Sequence, residues 1–302
     1  MKMKKYAFTM IELVFVIVVM GIIGKFATEF LAQAYRHFIS TKVQDKYQNQ
    51  SQTAIDFIAK RLQYRVKASV IVRDQTNADN TANYKLLEGF QNNGYDVLEW
   101  VSYDVEGLRS QTWSGIYNKN LSNTELYSPE TNTTHIDSLI STLSYGHSHI
   151  TDAALFFIGS NSDKDSWGWD GVAINDFTQS MKPIKVGSST KQFASDTTGN
   201  FSTLNLKNSI YNSYQLSWTA NAIVFDSATQ QLWFYTNYQP WEGDTYNDIG
   251  KNIQKVLLME EISDFRKKQR KGIITIKVCS ISSQLKDLPE DEFLTCKEKT
   301  IL

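Results

Sequence analysis

Met1–Gly24 reads MKMKKYAFTMIELVFVIVVMGIIG, and this stretch decides how the rest of the chain must be arranged. Lys2, Lys4 and Lys5 open it, and between Lys5 and Lys25 the single formal charge is Glu12. Nineteen helical positions at about 1.5 Å each come close to the roughly 30 Å of a bilayer's hydrocarbon layer. The segment is therefore expected to span with little tilt. Its basic start predicts a cytoplasmic N-terminus, so that everything beyond Lys25 lies on the far side, with Lys25 snorkelling to that interface. A cleaved secretory signal is one alternative, given the apolar run Leu13–Gly24 and the Ala32-Gln33-Ala34 site. A plain membrane anchor is another. Neither accounts for Glu12, because a carboxylate in a span costs about 2.5–3.5 kcal/mol at the centre on insertion scales, somewhat less near the start where Glu12 lies, and asks for a positive partner.

Lys4-Lys5-Tyr6-Ala7-Phe8-Thr9-Met10-Ile11-Glu12-Leu13 closely resembles the processing signal of type IV pilins and type II secretion pseudopilins. The resemblance implies that a prepilin peptidase cuts between Ala7 and Phe8 and methylates the new Phe8 amine. Glu12 then becomes the fifth residue of the mature chain. The family usually has Gly before the cut, where this chain has Ala7. An ammonium at Phe8 and the Glu12 carboxylate would each be costly alone in hydrocarbon, and each neutralises the other across neighbouring subunits. Small residues such as Gly21 and Gly24 would let such helices approach closely. The implied partners are other pilins or pseudopilins, the peptidase, an inner-membrane assembly platform and inner-membrane lipid.

Past Lys25 the helical pattern runs on without Pro through Phe26, Phe30, Ala34, Phe38, Val43, Tyr47, Ala54, Ile58, Leu62 and Val66, mostly at steps of three or four. One helix from Phe8 to about Ala68 is predicted, roughly 90 Å long. Lys42, Asp45, Lys46, Asn49, Gln52, Asp56 and Lys60 mark its solvent side. Beyond Val70 the pattern shortens to strands, at 97–104, 153–158, 214–226, 231–237, 256–266 and 272–281. The second pair from the end, about Ala222–Asp226 and Gln231–Tyr235 at its core, forms a predicted hairpin, and 256–266 with 272–281 forms another. Residues 117–151, rich in Ser, Thr and Asn, read as loop. The layout is α+β: a leader at 1–7, a membrane part at 8–30, an amphipathic part at 31–69, and a β-rich domain at 70–302. That agrees with the pilin-like fold the resemblance implies, a long N-terminal helix packed on antiparallel sheet. The segment Leu257–Arg266 is similar to the late hairpin of the larger, J-type minor pseudopilins, which favours a minor component over a repeating shaft subunit.

Composition narrows the alternatives. Of 302 residues, 31 are basic and 32 acidic, so a uniformly basic nucleic-acid binder is excluded and any polyanion must be met locally. With 15 Gly and 4 Pro against 7 Trp, 15 Tyr and 16 Phe, the chain is a folded, aromatic-rich protein. Cys279 and Cys296 are its two cysteines, too few for a disulfide scaffold and without zinc-module spacing. In an oxidising periplasm they would form one staple closing a loop of about 18 residues, worth about 3 kcal/mol; two unpaired thiols are the alternative. C-terminal disulfides of pilins favour the staple.

Arg266, Lys267, Lys268, Arg270 and Lys271 put five cations in six residues at a predicted hairpin tip. A solvated turn is the ordinary reading, and contact with DNA, anionic lipid or an acidic partner is the sharper one. Asp163, Asp165 and Asp170, with Asn161 upstream, could gather oxygens around Ca²⁺. An EF-hand counted from Asp163 nevertheless meets Ile174 where it needs Glu. His147 and His149, near His135, Asp137 and Asp152, have a zinc-compatible spacing without a motif that places a further ligand. No nucleophile elbow, zinc-peptidase helix or phosphate loop is present, and no cofactor or catalytic residue is assigned. Two functions follow: a pilin-like subunit of a membrane-anchored filament in secretion, pilus or DNA uptake, or an anchored periplasmic module that binds carbohydrate or metal without polymerising; a third, an anchored hydrolase, would require a tight acid/base cluster in the β-rich domain.

Overall fold

In the computed structural model, the residues described are 9–75, 83–90, 94–160, 163–204, 212–249, 251–281 and 294–302. Helix α1 (Met10–Leu62) runs for 53 residues, about 80 Å. The strands in chain order are β1 (Ile71–Arg73), β2 (Tyr84–Leu86), β3 (Val97–Ser102), β4 (Leu126–Tyr127), β5 (Ala154–Phe157), β6 (Met181–Val186) and β7 (Gln192–Ser195). They continue with β8 (Tyr214–Ser217), β9 (Thr219–Asp226), β10 (Gln231–Tyr238), β11 (Gln254–Met259), β12 (Ile262–Arg270), β13 (Ile273–Ile281) and β14 (Leu294–Ile301). Two short helices, α2 (Val105–Arg109) and α3 (Thr133–Leu143), complete the α+β fold.

The strands form three antiparallel sheets, in the orders β11-β10-β9-β3-β1-β2, β12-β13-β14 and β4-β7-β6-β5-β8. The distal half of α1 buries Tyr47, Ala54, Ile55, Ile58 and Leu62 against Leu98, Trp100, Ile223 and Phe234 of the six-stranded sheet and Ile274, Ile276 and Ile301 of the three-stranded one. Residues 103–218 leave the six-stranded sheet after β3 and return at β9, building the five-stranded sheet between. That inserted unit packs on the opposite face, where Trp167, Trp169 and Met181 meet Val97, Val101, Val224 and Tyr238. Strand β9 is consequently buried along Thr219–Phe225 on both faces, which explains its near-continuous apolar sequence.

Several boundaries differ from the sequence reading, each for a tertiary reason. Helix α1 stops at Leu62, short of Ala68, although neither Gly nor Pro intervenes. Val66 N–H donates to Val101 O (2.8 Å) and Tyr103 N–H to Tyr64 O (3.0 Å), so the C-terminal end of β3 captures the backbone that would have prolonged the helix. Residues 214–226 divide at Trp218 into β8 and β9, which belong to different sheets. Likewise 256–266 divides at Glu260-Glu261, with Glu261 at φ 57°, where the chain passes from the six-stranded sheet to the three-stranded one. Residues 117–151 are not loop throughout. Asn132 caps α3 by accepting from Thr134 N and His135 N, and Ile136 and Ile140 are buried one turn apart. The hairpins β9–β10 and β12–β13 form as expected. Asp56, expected in solvent, pairs with Lys299 of β14 across 2.5 Å and so ties the helix to the sheet.

Two buried cations fasten the layers. Arg73 on β1 meets Glu99 on β3 at 2.6 Å, both almost fully buried. Tyr238 donates its hydroxyl to the other Glu99 oxygen (3.0 Å), and Arg73 reaches Trp169 O of the inserted unit (2.8 Å). Arg65 donates to Leu62 O at the helix end (2.7 Å), to Gly272 O in the β12–β13 turn (2.8 Å) and to Leu302 O (3.4 Å). Removing one member of a buried pair leaves an uncompensated charge. Glu99→Ala is therefore expected to lower stability by about 3–5 kcal/mol, read as a fall in denaturant midpoint. A loss below about 1 kcal/mol would contradict this role for the pair.

Candidate assembly helix and binding surfaces

Every residue of α1 from 10 to 38 is exposed, with Phe15 at 70% and Phe30 at 70%. It is one helix near the N-terminus, long and apolar enough to cross a membrane. Glu12 lies in its first turn, where Thr9 Oγ1 donates to Glu12 Oε2 at 3.5 Å and Glu12 N–H to Thr9 O at 3.1 Å. The nearest cation along the described helix, Lys25, is paired with Glu29 at 3.9 Å. Glu12 thus stands in an apolar surface, without an ion pair among the described residues. Ala7 and Phe8 lie outside the described residues.

Cys279 and Cys296 face each other in the β13–β14 register and form a disulfide (Cα–Cα 4.1 Å). The staple fixes the first rungs of that pair, while the connecting residues, with Pro289 and Glu290-Asp291-Glu292, lie outside the described residues. The basic run leads into the hairpin turn but is not confined to it. Arg266–Arg270 form the second half of β12, where side chains alternate: Phe265, Lys267 and Gln269 turn inward, and Arg266, Lys268 and Arg270 are exposed. Lys267 donates to Tyr95 O, and burial pushes its ammonium down to about 8. Lys271 and Gly272 alone make the turn, both at positive φ (52° and 75°). Glu88 caps it, accepting from Lys271 N (2.7 Å) and Gly272 N (3.1 Å).

The three aspartates considered for Ca²⁺ are used otherwise. Asp163 accepts from Asp165 N, Asp165 accepts from the Tyr84 hydroxyl and pairs with Lys164, and Asp170 accepts from Val172 N; Asn161 lies outside the described residues. The surrounding Trp residues are core: Trp167 and Trp169 are buried, and Gly168 (φ 83°) presses so close to Pro240 that a Cβ would stand 2.0 Å from its carbonyl oxygen. His149 Nδ1 lies 3.3 Å from Asp137 Oδ1, and its backbone N–H donates to Asp152. His135 and His147 are exposed and not part of that contact. No group of metal-ligating side chains is found among the described residues.

A cleft of 490 Å³, absent from the sequence reading, opens where α1 ends. Phe57, Tyr64, Tyr103 and Trp218 wall it, with Arg61 and Arg109 at the rim. Arg61 covers the Phe57 and Phe234 rings, and Arg109 stacks on Tyr64 while donating to its hydroxyl (2.6 Å). Its floor is a cross-strand rung, Asn221–Thr236–Gln254, and Asn221 Nδ2 donates to Ser102 Oγ (2.6 Å). Past Phe234 and Ile223 the helix no longer covers the sheet, and the inward positions turn polar. That switch was the one sequence signal of the cleft. Asp104 at its edge is buried, which raises its carboxyl above the usual range although Gly107 N and Trp113 Nε1 donate to it.

No family model, curated protein or solved structure matches this chain.

Within the inserted unit, Lys182 on β6 is 4% exposed, and burial lowers its ammonium to about 8, opposed by Asp176. Between about pH 8 and 10.5 the unfolded chain holds this proton and the folded one does not, so its contribution to stability rises with pH. Lys182→Met should therefore raise the melting temperature at pH 7 and lose much of that advantage by pH 10 in paired thermal melts. A constant difference across that range would be inconsistent with a depressed ammonium.

Proposed function

We propose that this chain is a minor pilin-like or pseudopilin subunit of a filament anchored in the bacterial inner membrane. The observation that carries the reading is the division of α1. Its distal half is buried on two sheets, while residues 10–38 form a bare rod, and within it the stretch up to Gly24 is apolar with Glu12 as its one charge. Lipid would accept the rod but not the carboxylate. The partner that satisfies both is a bundle of similar helices bearing a cation at the matching height. Prepilin peptidase cleavage between Ala7 and Phe8 supplies that cation as the methylated Phe8 amine of a neighbour. The leader would be cytoplasmic and the β-rich body periplasmic. Because no break separates the halves of α1, the body would ride rigidly on the anchor. The inserted unit adds bulk at 103–218 that suits a minor, end-placed component of a secretion, pilus or DNA-uptake filament. In this role the chain is a peptidase substrate with no turnover of its own.

The anchored binding module is the second reading, favoured by the aromatic cleft at the end of α1. Its four ring-bearing walls and amide floor suit a polar ligand such as a saccharide.

Mass spectrometry of the protein from its host separates the two. A mature N-terminus at N-methyl-Phe8 is the expected result, and an intact Met1 or a start after Ala34 would rule out the filament reading. Glu12→Ala should leave insertion and cleavage intact while reducing co-purification with filament partners at least tenfold. Undiminished incorporation of that variant would sink the charge-pairing mechanism.

A further inference from the structure

We infer that the outer face of the β12–β13 ribbon is a docking surface for the phosphodiester backbone of a nucleic-acid duplex, independent of whether the chain polymerises. Alternation along β12 places Arg266, Lys268 and Arg270 together on the exposed face. Their steps are about 6.8 Å, two residues of extended strand. That interval is close to the separation of successive phosphates along one nucleic-acid strand. Lys277 of β13 lies directly opposite Arg266, and Lys271 continues the row at the turn. A like-charged pair facing across two strands destabilises a sheet, and here each member has a carboxylate beside it. Asp264 pairs with Arg266, and Glu298 of β14 stands opposite Lys277. Lys268 and Arg270 have no carboxylate partner among the described residues, and at Lys271 the Glu88 carboxylate accepts from the backbone N–H. Five cations against three carboxylates, Glu88 at the turn included, leave an excess of about two positive charges in a chain whose net charge is -1.

The surroundings select among anions. The residues sharing this face, Ile273, Thr275, Cys279, Cys296 and Thr300, include no aromatic ring. Single-strand stacking therefore has no platform here. Phe90, at the margin of the 1030 Å³ groove beside the ribbon, is edge-on to Tyr95. Lipid headgroups are disfavoured by distance. Arg65 bonds Gly272 O just beyond the end of α1, so the turn stands about 55 Å along the helix from Lys25. Electrostatic attraction to a bilayer decays over about 8 Å at physiological salt. Backbone phosphates of a rigid duplex, met without base reading, fit a flat, ring-free cationic ladder.

The test is fluorescence anisotropy of a labelled mixed-sequence 20-base-pair duplex with the full chain in zwitterionic nanodiscs, from 50 to 300 mM salt. Binding is expected to weaken with a log–log slope of about −2, from about two net phosphate contacts. Lys268→Glu/Arg270→Glu should weaken it at least tenfold, with an unchanged melting temperature, while Lys191→Glu on the inserted unit stays within twofold. Absence of binding at 50 mM salt would overturn the assignment, as would equal affinity of the double variant. Tighter binding of the matching single strand, or capture of polyglutamate in place of the duplex, would replace the duplex with another occupant.

Discussion

A single unbroken helix that must satisfy two different surroundings is the constraint on which this structure depends. Once α1 begins as an apolar rod and continues without Gly or Pro past Lys25, its far half can be stabilised only by tertiary burial. The stripe Tyr47, Ala54, Ile55, Ile58 and Leu62 meets that need on two sheets. Isolated helices of this kind draw little stability from propensity alone. The sheets therefore hold the distal half in place, and the proximal half is presented in a fixed direction.

The sheets in turn depend on being covered. Strand β9 has helix on one side and the inserted unit on the other, and the buried Arg73–Glu99 pair lies where those layers meet. A buried ion pair is weak evidence of net stabilisation, but breaking it is costly. Its hydrogen bond to Trp169 O ties the insert to the sheet, and the one from Tyr238 holds Glu99 within the sheet. Arg65 has the corresponding role at the end of α1, where it joins helix, turn and β14. These contacts place the aromatic cleft and the cationic ladder at the end of the molecule remote from the apolar rod. Recognition of anything outside the membrane would then occur far from the point of assembly.

Charge alternation along β12 shows how a composition becomes a surface. Read as a string, Arg266–Lys271 is a knot of positive charge. Folded, it loses Lys267 and Gln269 to the interior and spreads the rest along about 14 Å of strand. The same folding puts Lys277, distant in sequence, opposite Arg266. That rung is matched by Asp264 and Glu298, while Lys268 and Arg270 face Thr275 and Ile273 with no carboxylate beside them among the described residues.

The apolar rod, the buried stripe of α1, the hairpins at Asp226–Gln231 and Arg270–Ile273, and the cysteine pair were legible in the sequence, because each is signalled by local periodicity, turn residues or a lone pair of thiols. Not legible were the end of α1 at Leu62, the division of two apparent strands at Trp218 and Glu260, helix α3, and the cleft floored by Asn221, Thr236 and Gln254. Sequence by itself determined which residues need burial and which tolerate water or lipid, since those preferences belong to single side chains and their spacing. Tertiary structure decided where elements stop, which sheet each strand joins and which distant groups meet. Those outcomes are settled by competition for backbone hydrogen bonds and apolar contact between segments far apart in the chain, as when β3 takes the amide of Val66 from the helix.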